Sequence, residues 1–390
     1  MTVSSEQREI QLMAREFARG ELRPSSARWD ERCQLDEEVF AKLGELGFLG
    51  MRIPDELGGL GLDWSTYLLV LEELSWGDPA VALSVAIHNG PVTELLLRHG
   101  SEAQKARWLP AMAEGEVLGA FALSEVMAGS DARALEAEAR PEDGGWVLSG
   151  RKHWVTNGRR AGLVAVFART PGEEPSLGCF LVDPTSDGWE VGERSRTMGL
   201  RASETVSVAL AELRLPPEGL LGEPGLGFRY AMEALAVGRA GIAAQALGIA
   251  RAAMEHAAGY ALEREQFGRP IAEFGAIQEK LGEMGARIAG ARALTREVGE
   301  GLEAKARGTG EETDGRTLSA MAAMAKLLAT RTATWVADEA VQVFGGYGYM
   351  RDYPVEKLMR DAKGTEIYEG TSEVLRWIVA REVLRAARPG

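Results

Sequence analysis

The sequence predicts an α+β multidomain protein in which two helical domains flank a middle antiparallel β domain. Three observations carry that expectation. Apolar residues recur at helical spacing up to about Glu116, short β-branched runs replace them between Val117 and Phe228, and longer helical segments follow to the C-terminus. The expected units are residues 1–116, 117–228 and 229–390, which suits a chain of 390 residues, too long for one ordinary core.

In the first unit, REIQLMAREFARGEL places Ile10, Met13, Phe17 and Leu22 near one helix face. Asp36 is placed to cap DEEVFAKLGELGF and Asp63 to cap DWSTYLLVLEELSW, while Pro79 opens PAVALSVAIHNGPVTELLLRHG and Ser101 opens SEAQKARWLPAM. IPDELGGLGL holds too much glycine for a helix interior. In the middle unit, GWVLSG, LVAVFART, GCFLVD and ETVSVALAELRL read as strands of a barrel or sandwich, separated by the turn clusters PEDGG, TPGEEPSLG and PTSDG. The last unit opens with YAMEALAVGRAGIAAQALGIARAAMEHAAGYALERE, whose Ala and Gly let neighbouring helices approach closely. Helices then follow over IQEKLGEMGARIAGARALTREVGEGLEAKA, SAMAAMAKLLATRTATWVADEAVQVFG and TSEVLRWIVAREVLR, with TGEETDG as a polar loop.

Composition excludes several classes. Lys and Arg number 44 against 58 Asp and Glu, a formal charge of −14, which argues against a general nucleic-acid binder. Two cysteines, Cys33 and Cys179, make neither a disulfide framework nor a metal cluster and suit a reducing cytoplasm. No apolar run reads as a membrane span, and the charged, helix-patterned start is unlike a signal peptide. Glycine is in excess, at 47 residues.

Five segments carry chemistry-bearing residues. In IYEGTSEV, Glu369 precedes Gly370 and Thr371; inside a closed pocket its carboxyl would be pushed up toward the range of a general base, whereas in the open it is a turn residue. FALSEVMAGSDARA, from Phe121, ends a strand in a Gly-Ser turn whose N–H groups and hydroxyls suit the rim of a heterocycle or a phosphate, or form a plain strand-to-loop junction. KHWVTNG puts Trp154 and Thr156 on one strand face, an aromatic wall beside a hydroxyl, with a core tryptophan as the simpler alternative. QVFGGYGYMRDYPVEKLMRDAK lacks the glycine spacing of a dinucleotide fingerprint and reads as a helix C-cap followed by a loop. In ALEREQFGRPI, Arg264 and Phe267 share a helix face at i, i+3, either as a phosphate fork with an aromatic platform or as a solvated helix end.

In this order and spacing the segments resemble the acyl-CoA dehydrogenase family of flavoproteins. The resemblance spans essentially the whole chain. It is carried by ALSEVMAGSDARA and QVFGGYGYMRDYPVEKLMRD, and by KHWVTNG, TMGLRASET, EREQFGRPI and RDAKGTEIYEGTSEV. It implies a C-terminal four-helix bundle, FAD as cofactor, and a homo-oligomer, in this family usually a tetramer. Phe121, Leu123 and Ser124 would line the flavin's pyrimidine side, Trp154 would flank the ring, and Thr156 would donate to N5. Arg264, Phe267, Gln342, Gly345 and Gly346 would hold the pyrophosphate and adenosine of a neighbouring subunit's FAD, and Thr371 and Glu373 would complete the cofactor contacts. Ser130 and Arg239 match positions near the acyl-CoA, Gly370 lies beside the thioester, and Glu369 matches the catalytic base.

The implied reaction is α-proton removal with β-hydride transfer to flavin N5, giving a trans-2-enoyl-CoA. An electron-transfer flavoprotein would take the electrons. Branches that carry the base elsewhere place it one residue before the match to Arg239; here that residue is Gly238, which leaves Glu369. The run GRAGIAAQALGIA is most similar to the short-chain and butyryl branches, which favours a short or branched acyl group. Two departures stand out. Val126 and Met127 follow Glu125 where the family has Pro, which should loosen the turn near Ser130. Gly275 replaces a Gln that binds adenosine, with Gln278 nearby. Other readings are a carrier-protein-bound acyl substrate, an oxidase or monooxygenase on the same fold, and a non-catalytic helical scaffold.

Overall fold

A computed structural model describes residues 4–172, 176–309 and 315–388. Most of the TGEETDG loop and the centre of TPGEEPSLG lie outside the described residues. Helix α1 (Ser5–Phe17) starts at a capping box in which Ser4 and Gln7 each accept the other's backbone N–H. A π-helical turn leads into α2 (Arg23–Arg32), followed by α3 (Glu38–Glu45). Asp36 does not cap α3, contrary to expectation. Its carboxylate pairs with Arg28, and the helix begins at Glu37 with no side-chain cap. Helix α4 (Trp64–Gly77) does begin at Asp63, which accepts the Thr66 N–H at 2.8 Å. Asp78 caps α5 (Pro79–Ile87), which passes through a π turn containing Pro91 into α6 (Thr93–His99). Ser101 and Gln104 form a second capping box for α7 (Glu102–Glu114). One expectation is corrected here. Pro79–His99 is long and apolar enough to cross a membrane by length and composition, yet 94% of its most apolar 18-residue window is buried inside the protein.

The middle strands are β1 (Gly119–Ala122), β2 (Glu138–Glu142), β3 (Gly145–Thr156), β4 (Leu163–Thr170), β5 (Ser176–Val182), β6 (Trp189–Arg194), β7 (Thr205–Leu215) and β8 (Leu220–Leu221). They form one sheet in the order β6-β7-β3-β2-β4-β5-β8, with β1 paired to β4. Pairing is antiparallel except at β1–β4 and β2–β4, which are parallel. GWVLSG and KHWVT are one continuous strand, β3, which carries a bulge between Lys152 and Val155. One face of the sheet encloses its own core, including Leu148, Val155, Val164, Phe180 and Val208.

The last unit holds α8 (Gly227–Glu263), a hairpin of β9 (Glu265–Gln266) and β10 (Arg269–Pro270), α9 (Gly275–Arg307), α10 (Gly315–Phe344), α11 (Pro354–Thr365) and α12 (Ser372–Ala386). Helix α8 packs against α4, α5, α9, α10 and α11, so the two helical regions share one core. Close approach to α4 depends on Gly248, where a Cβ would lie 2.5 Å from the Glu72 carbonyl oxygen. Buried charge fixes the register. Burial pushes Glu73 up, but hydrogen bonds from Arg251 and Arg15 hold its carboxylate below the usual range.

Helix α11 departs from the expected loop after GGYG. Pro354 opens it, and Val355, Leu358 and Ala362 bury one face. Lys357 on α11 is buried between Asp361 at 2.7 Å and Asp78 at 3.2 Å, and Asp361 accepts the Leu200 N–H. This network ties α11, and the turn that follows it, to both other units.

Candidate active site

The turn between α11 and α12 holds Glu369 and Gly370 at φ +55° and +99°. A non-glycine residue in the left-handed region costs about 1 kcal/mol or more and persists only where its surroundings enforce it. Three groups enforce it here. Lys326 of α10, fully buried, donates to the Tyr368 and Gly370 carbonyls, both at 2.6 Å. The Arg239 Nε of α8 donates to the Glu369 carbonyl at 3.3 Å. The Tyr368 hydroxyl donates to Gln245 of α8 at 2.8 Å, and Gln245 in turn donates to the Pro79 carbonyl.

Glu369 is half-buried, and its Oε2 lies out of solvent with no hydrogen-bond partner among the described residues. Burial pushes its pKa up to about 7, opposed by the charges of Arg239 and Lys326. Position 238 must be glycine for this to happen: a Cβ there would lie 2.5 Å from Glu369 Oε2 and 2.7 Å from its Cδ. The residue that removes a competing carboxylate also supplies the space for this one. Among the described residues the Glu369 N–H donates no hydrogen bond, so a donor and a raised-pKa carboxyl sit on one residue.

A second group gathers at the ends of β1 and β3. The Ser124 carbonyl accepts the His153 N–H at 2.9 Å, which ties Phe121, Leu123 and Ser124 to the segment of Trp154 and Thr156. Trp154 sits at φ +56° in the β3 bulge and is 54% exposed, beside fully buried Val155 and half-buried Thr156. Trp154 is therefore not core. The hydroxyls of Ser124 and Thr156 make no hydrogen bond among the described residues. An open indole next to two unengaged hydroxyls fits a flat ring with a polar rim, which is the chemistry FAD presents. Ser130 is exposed in the loop beyond Glu125. That loop is not loosened by Val126 and Met127: Glu125 and Ala128 close it with reciprocal backbone bonds at 3.1 and 3.2 Å.

The third group lies beyond α8. Arg264 and Phe267 do not share a helix face as expected. The helix stops at Glu263, and Phe267-Gly268 take φ +54° and +78°, the geometry of a tight two-residue hairpin between β9 and β10. Arg264 lies over the Tyr347 ring, 5.5 Å from its centre, and Gln342, Gly345 and Gly346, which precede Tyr347 in the chain, are exposed. Phe267 is 95% exposed. Gly275 opens α9, and Gln278 donates to the Ala272 carbonyl of its own chain. Thr371 caps α12, accepting the Val374 N–H, and exposed Glu373 pairs with Arg376.

Sequence reasoning missed Lys326 and the pair Lys152–Glu125. Lys152, fully buried, donates to Glu125 at 2.7 Å and to the Leu123 carbonyl at 3.1 Å, and Glu125 also accepts the N–H groups of Glu136 and Ala137. The available signal was a lysine inside an otherwise strand-like run.

Three sequence profiles cover the chain: Acyl-CoA dehydrogenase, N-terminal domain, over 4–116; middle domain, over 120–212; and C-terminal domain, over 225–384. The chain belongs to the acyl-CoA dehydrogenase family. It is an oxidoreductase that uses FAD to dehydrogenate acyl-CoA thioesters. It is 40% identical to an acyl-CoA dehydrogenase of Bacillus subtilis (strain 168), over 98% of this chain and 99% of that one. It is likewise 40% identical to the mitochondrial short-chain specific acyl-CoA dehydrogenase of Bos taurus, over 96% of this chain and 89% of that one. Among solved structures, butyryl-CoA dehydrogenase from Megasphaera elsdenii matches with a TM-score of 0.94 and 35% identity, covering 99% of this chain and 100% of that one. A chain from a structure of the electron transferring flavoprotein of Acidaminococcus fermentans matches with a TM-score of 0.94 and 38% identity, covering 99% of both. A Bacillus anthracis acyl-CoA dehydrogenase solved with FAD matches with a TM-score of 0.91 and 33% identity, over 98% of this chain and 67% of that one.

Proposed function

We propose that the protein dehydrogenates a short or branched acyl-CoA between Cα and Cβ, with Glu369 as the base. The observation that carries this is the buried, unpartnered Glu369 Oε2 opposite Gly238. A carboxyl with a pKa of about 7 is a carboxylate in half the molecules at neutral pH and holds an abstracted proton without a large penalty. The α proton passes to Oε2, and the unengaged Glu369 N–H polarises the thioester carbonyl as enolate charge develops. Bound FAD supplies the acceptor for the β hydride, and the product is the trans-2-enoyl-CoA.

Phe121, Leu123, Ser124, Trp154 and Thr156 hold the flavin ring, with Thr371 and Glu373 completing the contacts. Arg239, Gly370 and Ser130 flank the substrate. Arg264, Phe267, Gln342, Gly345 and Gly346 serve the FAD of a neighbouring subunit in a homotetramer. The protein works in the cytoplasm and passes its electrons to an electron-transfer flavoprotein. Likeness to short-chain and butyryl-CoA dehydrogenases supports the acyl class.

Anaerobic flavin bleaching against acyl-CoAs of graded length and branching tests the reading. Butyryl-length substrates should reduce the flavin fastest. Glu369→Gln should keep its FAD and lose about a thousandfold or more in bleaching rate. Unchanged bleaching in that variant would remove Glu369 as the base.

A further inference from the structure

Lys326 lies on α10, 43 positions before the base in the chain, yet its ammonium reaches both carbonyls that bracket Glu369. Its side chain is fully buried, on a helix whose Ala322, Ala323, Ala325 and Ala329 are also buried. Burying a lysine is expensive: desolvation lowers its pKa to about 7, opposed by the charge of Glu369, and among the described residues it forms no salt bridge. Two carbonyls at 2.6 Å are its recorded acceptors. The ammonium therefore spans the left-handed turn like a staple, drawing the carbonyls of residues 368 and 370 toward one point.

We propose that Lys326 is a positioning residue for the base, holding the Glu369–Gly370 turn in the conformation that seats the carboxyl against Gly238 and placing a positive charge beside it. The inference rests on Glu369 acting as the base.

The other groups around this carboxyl come from every packed element. Arg239 of α8 favours the ionised form, buried Tyr67 of α4 and part-buried Tyr368 of the turn feel its charge, Glu366 acts on Lys326, and Asp361 of α11 acts on Tyr368. Arg239 holds the Glu369 carbonyl from one side and Lys326 the two flanking carbonyls from the other, so neither can substitute for the other's contacts. A purely structural lysine would stabilise the fold without touching the titration of Glu369.

Lys326→Met keeps the length of the side chain and removes charge and donors, and Lys326→Gln keeps a donor without the charge. Both are measured as FAD-loaded enzyme, by the pH dependence of flavin reduction with butyryl-CoA. Loss of the positive charge should move the inflection of kcat/KM upward, by less than a full charge would because Lys326 itself titrates near 7, and loss of the staple should lower kcat by about 10- to 100-fold. A loaded neutral variant with an unshifted inflection and wild-type kcat overturns the proposal. If neither neutral variant loads FAD, Lys326→Arg decides. Its guanidinium keeps the charge but is larger and planar, and cannot occupy the place of the compact ammonium without displacing the turn, so a tenfold or greater fall in kcat supports positioning, and wild-type kcat overturns it. Glu369→Gln run alongside separates the two readings. If that variant still bleaches, the base assignment falls; if it is inert while Lys326→Met behaves as wild type, only the role of Lys326 falls.

Discussion

The Glu369 turn and the Phe267 hairpin both rest on a left-handed non-glycine residue, at φ +55° and +54°, followed by a left-handed glycine. They are held in opposite ways. Glu369 is locked from α8 by Arg239 and Gln245 and from α10 by Lys326, with its Oε2 out of solvent. Phe267 is almost wholly exposed, and its ring meets only the edge of Phe274, 6.0 Å between centres. The same backbone strain is thus resolved inside the chain at one place and left presenting a bare aromatic at the other. On the function proposed above, the base is positioned entirely by residues of its own chain, whereas the hairpin turns its ring outward.

The comparison breaks most sharply at Gly238. Gly238→Ala places a methyl against the carboxyl, and flavin reduction should slow by about a hundredfold while FAD stays bound. A wild-type rate by stopped-flow would mean that the turn yields and is not locked. Next is pH. Only the carboxylate takes a proton, and burial sets its pKa at about 7, so kcat/KM should fall about tenfold per unit as the pH drops below that value. An inflection near 4.5, the ordinary value for glutamate, would place the carboxyl in water. The smallest effect belongs to the hairpin. Phe267→Ala should weaken FAD retention on dilution about 3- to 10-fold, an aromatic-contact magnitude, and leave the pH profile of the base unchanged. Unaltered retention would show that the exposed ring serves no cofactor.

Much of the fold was legible because the relevant signals are local. Asp63 and Ser101 cap where their spacing says they should, and the α–β–α order follows from periodicity alone. Asp36 misled because a cap and an ion-pair partner look identical in sequence, and Arg28 claimed the carboxylate. Phe267 misled because a tight hairpin normally announces itself with Asn or Asp, and here phenylalanine takes the left-handed position. Glu369 and Gly238 were readable through resemblance, but the contact between them crosses 131 positions of chain and has no sequence signature of its own. Lys326 was the least visible. Its partners are backbone carbonyls, which every residue possesses, so nothing in the side chains around it or around Glu369 marks the pair.

The apolar helix running from Pro79 to His99 has a consequence during synthesis. Its main later partner, α8, begins at Gly227, about 130 residues downstream. At ribosomal rates of roughly 5–20 residues per second, the segment waits about 6–26 s before α8 can cover it. For that interval the nascent chain carries a stretch that membrane-insertion machinery and holding chaperones both recognise by apolar length. Its charges sit only at the edges: Asp78 caps the start, and Glu94 and Arg98 lie in the last turns, which leaves fifteen uncharged residues between them.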